Sequence, residues 1–360
     1  MINKTLSPHY IYTPLFSPLS GLVCESYTLN IRIWKGYIGN KPTEPNYTIT
    51  KENPTGATGN DKVNISRIIN DFIDFLPLKD TATGLLISNN QVRVETSVTY
   101  KTTNQNDGLF PQLVNTKYFS YGYNYGIEGE NGTTNINGLL FENIEYNVSR
   151  TSLVCLPIEV LTSDDFAFPT VNITSYPSKD IEYTIQASTD SDTSRIVNYI
   201  WVNVSELGSD DIIEIEYKGN LITLLVVDEC RYVPTDIYFI NKDGQQQSLT
   251  FFKAKTDALS VTKSSFESNR GQPIFGNHQT IDYNISATSS FKVNSGFVPE
   301  ETNEVFKQLL LSNKAWIINN DRFVPITIAS KNLTFKTRQK DRLINYEIDF
   351  NLAYNAINNL

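Results

Sequence analysis

Cleaving a glycosidic bond takes two positioned carboxyl groups, and the closest acids in this chain are the pairs Asp164-Asp165 and Asp210-Asp211. Neighbouring side chains on an extended chain point apart, so these pairs read as solvated turn residues and not as an acid/base couple. A Ser/His/Asp triad would have to use His9 or His278, the two histidines present, and neither lies near a G-x-S-x-G context. Cys24, Cys155 and Cys230 are too far apart for a zinc site and read as buried reduced thiols. Asp190-Ser191-Asp192-Thr193-Ser194 alternates oxygen ligands as calcium loops do, but lacks the glycine and distant Glu of an EF-hand. Gly56-Ala57-Thr58-Gly59 has no Lys after its glycines to grip a phosphate. The expectation is a chain with no catalytic, cofactor-binding or metal-ligating residues.

Binding chemistry is easier to place. In Tyr118-Phe119-Ser120-Tyr121-Gly122-Tyr123-Asn124-Tyr125-Gly126 aromatics alternate with small and polar residues, the composition of adaptable contact loops. Tyr121, Tyr123 and Tyr125 are therefore candidate ligand or subunit contacts, against the plainer reading that they pack on a sheet. A basic cluster, Lys331, Lys336, Arg338, Lys340 and Arg342, stands out in an acidic chain. Lys336, Arg338 and Arg342 are candidates for a charged contact between subunits, although a solvated strand face looks the same.

These residues must be held by strands. Of 360 residues 40% are hydrophobic and 19% charged, which suits packed domains and excludes a disordered chain. The net charge of -9 argues against gripping a phosphate backbone, so no specific nucleic-acid binding is expected. No apolar run is long enough to span a bilayer and the first residues lack a signal-peptide core, so the expectation is a soluble protein made in a cytoplasm with no membrane insertion. Alternation at Tyr27, Leu29, Ile31 and Ile33, at 92–98, at 213–217, and at Ile344, Tyr346, Ile348 and Phe350 predicts half-buried strands. Lys218-Gly219-Asn220 before the apolar run 221–227 predicts an antiparallel hairpin whose second strand is buried on both faces.

Two segments break the period of two. Ile65, Ile68, Ile69, Phe72, Ile73 and Leu76 have helical spacing, with Asn64 as cap and Pro77 as stop, and predict a helix near 64–76. Pro299, the acids that follow it, and Phe306, Leu309 and Leu310 predict a second near 299–312. The fold class expected is mainly β: two or three antiparallel β-sandwich or β-barrel domains, each with at most one covering helix. Their expected bounds are 1–150, 151–230 (a small β-sandwich) and 231–360.

Several longer stretches resemble a family of virion proteins from crAss-like and related phages of Bacteroidetes. The similar residues are Val227-Asp228-Glu229-Cys230-Arg231-Tyr232-Val233-Pro234, Tyr238-Phe239-Ile240-Asn241-Lys242 and Leu249-Thr250-Phe251-Phe252-Lys253. They continue in 303–312, Trp316, Val324-Pro325-Ile326, Lys336-Thr337 and 342–350, with Tyr12-Thr13-Pro14-Leu15 and 49–75 near the start. Residues 84–208 carry little of the likeness, and Asp243-Gly244 stands where the family often has an aromatic or Phe-Gly pair. The resemblance implies a non-enzymatic structural component of a phage tail. Its partners would be copies of itself in a ring around the tail channel and other tail proteins, and its place the virion. A tail-tip protein that binds a receptor or carbohydrate through the tyrosine stretch is the alternative.

Overall fold

The computed structural model describes residues 2–14, 24–35, 40–53, 60–73, 75–88, 90–102, 112–125, 138–142, 144–161, 170–176, 179–184, 195–207, 211–268, 271–272, 275–332, 334 and 344–355. The chain is mainly β, with two short α-helices among the described residues. The N-terminal sheet has the order β1 (Ile2–Lys4), β8 (Gln112–Ser120), β7 (Gln91–Thr102), β3 (Cys24–Trp34), β4 (Tyr47–Glu52), and a separate ribbon pairs β2 (Tyr10–Pro14) with β5 (Asn60–Asn64). A three-stranded sheet runs β10 (Leu153–Leu161), β13 (Arg195–Asn203), β6 (Gly84–Ile87). A five-stranded one runs β12 (Lys179–Thr184), β11 (Thr170–Tyr176), β14 (Ile212–Tyr217), β15 (Asn220–Val227), β9 (Glu145–Ser149). The C-terminal sheet has seven strands, β17 (Gln246–Phe251), β16 (Thr235–Ile240), β20 (Ala315–Asn319), β21 (Arg322–Ile328), β22 (Glu347–Leu352), β19 (Thr280–Asn294), β18 (Thr256–Glu267).

Pairing is antiparallel as the hairpin punctuation predicts, apart from β1 with β8 and β9 with β15, which are parallel. The turn between β14 and β15 puts Lys218 and Gly219 at φ 49° and 75°. Two left-handed residues make the turn that matches the natural twist of a hairpin, so Gly219 sits where a Cβ would be strained.

Two cores form, and single strands feed both. On β10, Val154, Leu156, Ile158 and Val160 enter one core while Cys155 enters the other. On β13, Ile200 and Val202 enter the first, and Val197, Tyr199 and Trp201 the second. On β16, Ile237 and Phe239 part in the same way from Tyr238 and Ile240. Alternating side chains leave a strand on opposite faces, so these strands are a wall with a core on each side. The N-terminal sheet and α1 (Ser66–Asn70) cover one face of this wall. The β9–β15 sheet and α2 (Asn303–Leu311), through Val305, Phe306 and Leu309, cover the other. Each fully buried aliphatic in the wall contributes about 2 kcal/mol.

Strand pairing and hydrogen bonds cross both expected boundaries. β9 joins β15 and β6 joins β13 across residue 150, while the backbone N–H groups of Leu153 and Cys155 donate to Asp236 and Ser248 across residue 230.

Three local expectations need correction. The first helix is five residues long, because β-branched Ile68 and Ile69 propagate a helix poorly and the next turn tightens to i→i+3 bonds at Phe72 and Ile73. Asn64 still serves that turn, its Oδ1 accepting from the N–H groups of Ser66 and His9. β15 is not buried on both faces, since Ile222 and Leu224 are buried and Leu221 is exposed: one face of its sheet meets solvent. Cys24 and Cys155 are buried thiols, but Cys230 is exposed in the connection between β15 and β16. The second helix forms as expected, a 3-10 turn at Glu300–Thr302 leading into α2.

Candidate functional site

The tyrosine stretch leaves β8 and docks on the chain itself. Gly122 lies so close to the β16–β17 turn that a Cβ there would stand 2.6 Å from the Lys242 carbonyl oxygen. The Tyr123 N–H donates to that oxygen at 2.9 Å, the Ser120 hydroxyl donates to the Asp243 carbonyl at 2.9 Å, and Lys4 pairs with the Asp243 carboxylate at 2.8 Å. The buried Tyr121 hydroxyl accepts from the Asn313 side chain. Tyr125 donates its hydroxyl to Glu304 on α2, with the ammonium groups of Lys242 and Lys307 5.0 and 3.5 Å from its ring centre. Burial, and then the Glu304 carboxylate, push the Tyr125 phenol well above its ordinary pKa. Tyr123 meets Tyr125 edge to face, with ring centres 5.8 Å apart. The three rings thus clamp the N-terminal sheet to the C-terminal hairpin turn and to α2. Lys336, Arg338, Lys340 and Arg342 lie outside the described residues, as do Asp164, Asp165, Asp190, Asp192 and Asp210. Among the described residues Asp211 is exposed and pairs with Arg150 at 3.3 Å, and no group of three His, Cys, Asp or Glu could hold a metal ion.

His9 is buried edge-on against Phe119, ring centres 5.0 Å apart, with its Nε2 3.2 Å from the Lys117 ammonium. Burial first, and the Lys117 charge second, lower its pKa to about 4. A lowered pKa means that the unfolded chain binds the extra proton, so stability is full above the ordinary value near 6.5 and falls with pH down through about 4. We expect a loss of about 1.5 kcal/mol between pH 7 and 5 after solvent screening. Urea midpoints at the two pH values, compared between the native chain and His9→Gln, check this; an equal pH slope in both removes His9 as the cause.

Two features have no counterpart in the sequence reading. The first is a cleft of about 780 Å³ beside the start of β16. Leu153, Val233, Pro234, Ile317 and Ile318 give it apolar walls, and Lys79, Arg231 and Lys255 stand around it with Asp236 and Asp321. Asp236 accepts from the hydroxyls of Thr250 at 2.6 Å and Ser152 at 2.9 Å and from the Leu153 N–H at 3.2 Å; burial raises its pKa. Its acceptors are thus spent on holding the cleft wall.

The second is an arm. β22 pairs with β19 at residues 290–294, and beyond Ser290 towards the tip β19 has β18 as its sole sheet partner among the described residues. All twelve residues of β18 are exposed, including Leu259, Val261 and Phe266, and Ile281 and Tyr283 of β19 are exposed opposite them. Phe266 and Tyr283 stack edge to face at 5.7 Å, Lys263 pairs with Asp282 at 2.5 Å, and a bulge with Asn284 at φ 52° twists the ribbon. At about 3.3 Å per residue the unsupported part is about 30 Å long. Its sequence signal is faint: Ser and Thr fill both faces of 256–267 and 280–290, so neither face reads as a core face.

No helix among the described residues is long and apolar enough to cross a membrane. Comparison of the chain with protein-family models, with curated proteins and with solved structures found no match.

Proposed function

We propose that the chain is a non-enzymatic structural protein that assembles in several copies by inserting its β18–β19 arm into a neighbour, as a ring or adaptor component of a phage tail. The arm carries this reading. A two-stranded ribbon is marginal in water by itself, and one that exposes Leu259, Val261, Phe266, Ile281 and Tyr283 gains most from a protein partner. Two faces of a ribbon about 30 Å long and about 10 Å wide offer roughly 600 Å², and its free edge and tip bring the area near the 800 Å² per partner of a stable interface. The tail setting rests on the sequence resemblance. A closed ring is the natural product when one surface of each copy grips a different surface of the next. Glycan binding by the tyrosine stretch gains no support from the geometry, because Tyr121 and Tyr125 are engaged with Asn313, Glu304 and Lys307 of the same chain.

Replacing residues 259–289 by Asn-Gly shortens the arm to its root and leaves the cores alone. The native chain is expected to gain mass with concentration in sedimentation velocity, while the shortened chain stays monomeric with an unchanged melting temperature. Equal association of the two would overturn the role of the arm. Mass spectrometry of purified phage particles carrying the gene tests the setting, and absence of the chain from them removes the tail reading.

A further inference from the structure

We propose that the free edge of β18 pairs antiparallel with β18 of a second copy, about a two-fold axis at Ser260. The inference rests on the multi-copy reading above and names the contact that the arm makes. β18 ends its sheet, so every second residue of 256–267 turns its backbone N–H and C=O away from β19, and among the described residues no strand meets them. All twelve residues are exposed. The bulge adds its extra residue to β19, where Asn284 and Ile285 stand opposite Lys263, so β18 itself runs on without a break. A long, regular, exposed edge is a template for one more strand.

The order of residues along β18 selects its own copy as that strand. One face carries Asp257, Leu259, Val261 and Lys263, and the other Thr256, Ala258, Ser260, Thr262 and Ser264. Run antiparallel, this order complements itself. With Ser260 opposite the second copy's Ser260, Leu259 meets Val261, Asp257 meets Lys263, Ala258 meets Thr262 and Thr256 meets Ser264, and every pair recurs across the axis. A slip of two residues one way sets Lys255 against Lys263; the other way sets Lys263 against Leu259. Leu259 and Val261, which water now reaches, thus become two cross-strand apolar pairs in one register alone.

New charge attraction is not the driving force, because Asp257 already lies 3.3 Å from Lys255 and Lys263 2.5 Å from Asp282 in the same chain. The charges act on register, since only the axis at Ser260 joins the apolar pairs without setting like charges opposite each other. The driving force is the edge itself: the stretch 256–264 is about 30 Å long and forms roughly eight to ten backbone hydrogen bonds between copies. The product is one four-stranded ribbon, β19–β18 of one copy continuing into β18–β19 of the other. Such a contact closes on itself, so it joins copies two by two and leaves ring closure to a second, different surface.

The test uses the full chain with Cys230→Ser, which leaves Cys24 and Cys155 buried. One preparation adds Ser260→Cys, a second adds Ser264→Cys on the same face, and each is oxidised alone with diamide. At the axis two thiols at position 260 face each other, whereas two at position 264 stand about 26 Å apart. The expected result is a disulfide dimer at 260, identified by peptide mass, and little at 264. In sedimentation velocity Asp257→Lys is expected to weaken self-association about tenfold, because it sets like charges opposite each other on both sides of the axis, and adding Lys263→Asp is expected to restore it. If oligomers form but position 260 crosslinks no better than 264, or the second substitution restores nothing, the β18 pairing is overturned while assembly through another surface stands. If the parent stays monomeric at every concentration and 260 does not crosslink, pairing and multi-copy assembly by the isolated chain fall together, and the tail reading is judged separately on particles.

Discussion

Gly244→Ala is expected to destabilise the protein by about 4 kcal/mol, the largest effect of any single methyl group we can place. Gly244 closes the β16–β17 turn with φ +74°, a left-handed conformation in which a Cβ costs about 1 kcal/mol before it meets anything. Here it meets backbone: the added carbon would stand 1.9 Å from the Tyr121 carbonyl oxygen and 2.7 Å from the Gly122 nitrogen. No flexible side chain can yield, so the tyrosine stretch has to lift off the turn. With it go the bonds of Tyr123 to Lys242 and of Ser120 to Asp243, and the contacts of Tyr121 with Asn313 and Tyr125 with Glu304 are strained. Urea unfolding measures the loss, and a cost below about 1 kcal/mol would mean that this clamp does not hold the layers together.

Tyr199→Phe, the removal of one oxygen, is expected to cost about 3 kcal/mol. The Tyr199 hydroxyl is fully buried between the cores and donates to Gln245 Oε1 at 3.0 Å, while Asn90 Nδ2 donates to it at 3.0 Å and Ser88 Oγ lies 3.2 Å away. Burial raises its pKa above the ordinary phenol value, so it keeps its proton and can act as donor and acceptor at once. Phenylalanine keeps the ring and leaves Asn90 and Gln245 short of partners in a region water does not reach, and each orphaned buried group costs about 1–3 kcal/mol. A Tyr199→Phe chain as stable as the native one would show that the neighbours re-pair among themselves.

This polar seam is the part of the fold least legible in the sequence. β17 reads Gln246-Gln247-Ser248-Leu249-Thr250-Phe251, the composition of a solvated edge, yet all six residues are buried. It is the end strand of its sheet and lies beside β10, and its side chains do the work of a missing ladder. Ser248 Oγ accepts from the Cys155 N–H at 2.8 Å, and the Gln246 amide exchanges two bonds of 2.9 Å with the backbone of Leu78. Gln247 donates to Tyr146 at 3.0 Å. Glutamines are stable there because donors and acceptors from residues 78, 146 and 155 arrive to meet them. Hydropathy along one strand carries no record of partners so far away in sequence.

The tyrosine stretch shows the same limit from the other side. Its composition suits a ligand or subunit contact, but the described part of it packs on its own chain more than a hundred residues further on. In the arm, by contrast, Ser and Thr fill both faces of 256–267, and all twelve residues there are exposed.

By itself the sequence determined the class: a mainly β chain, strands such as β3 and β14 with their buried faces, the turn at Lys218-Gly219 and the position of α2. Each of these follows from local rules, a period of two, a period of 3.6, or two residues that tolerate a left-handed backbone. Tertiary structure alone decided that β10, β13 and β16 divide two cores, that a glutamine strand is buried, and that an arm and a cleft are left at the surface. Burial is a property of pairs of elements, and which elements meet depends on the summed packing of the whole chain, of which any one segment holds only half of each contact.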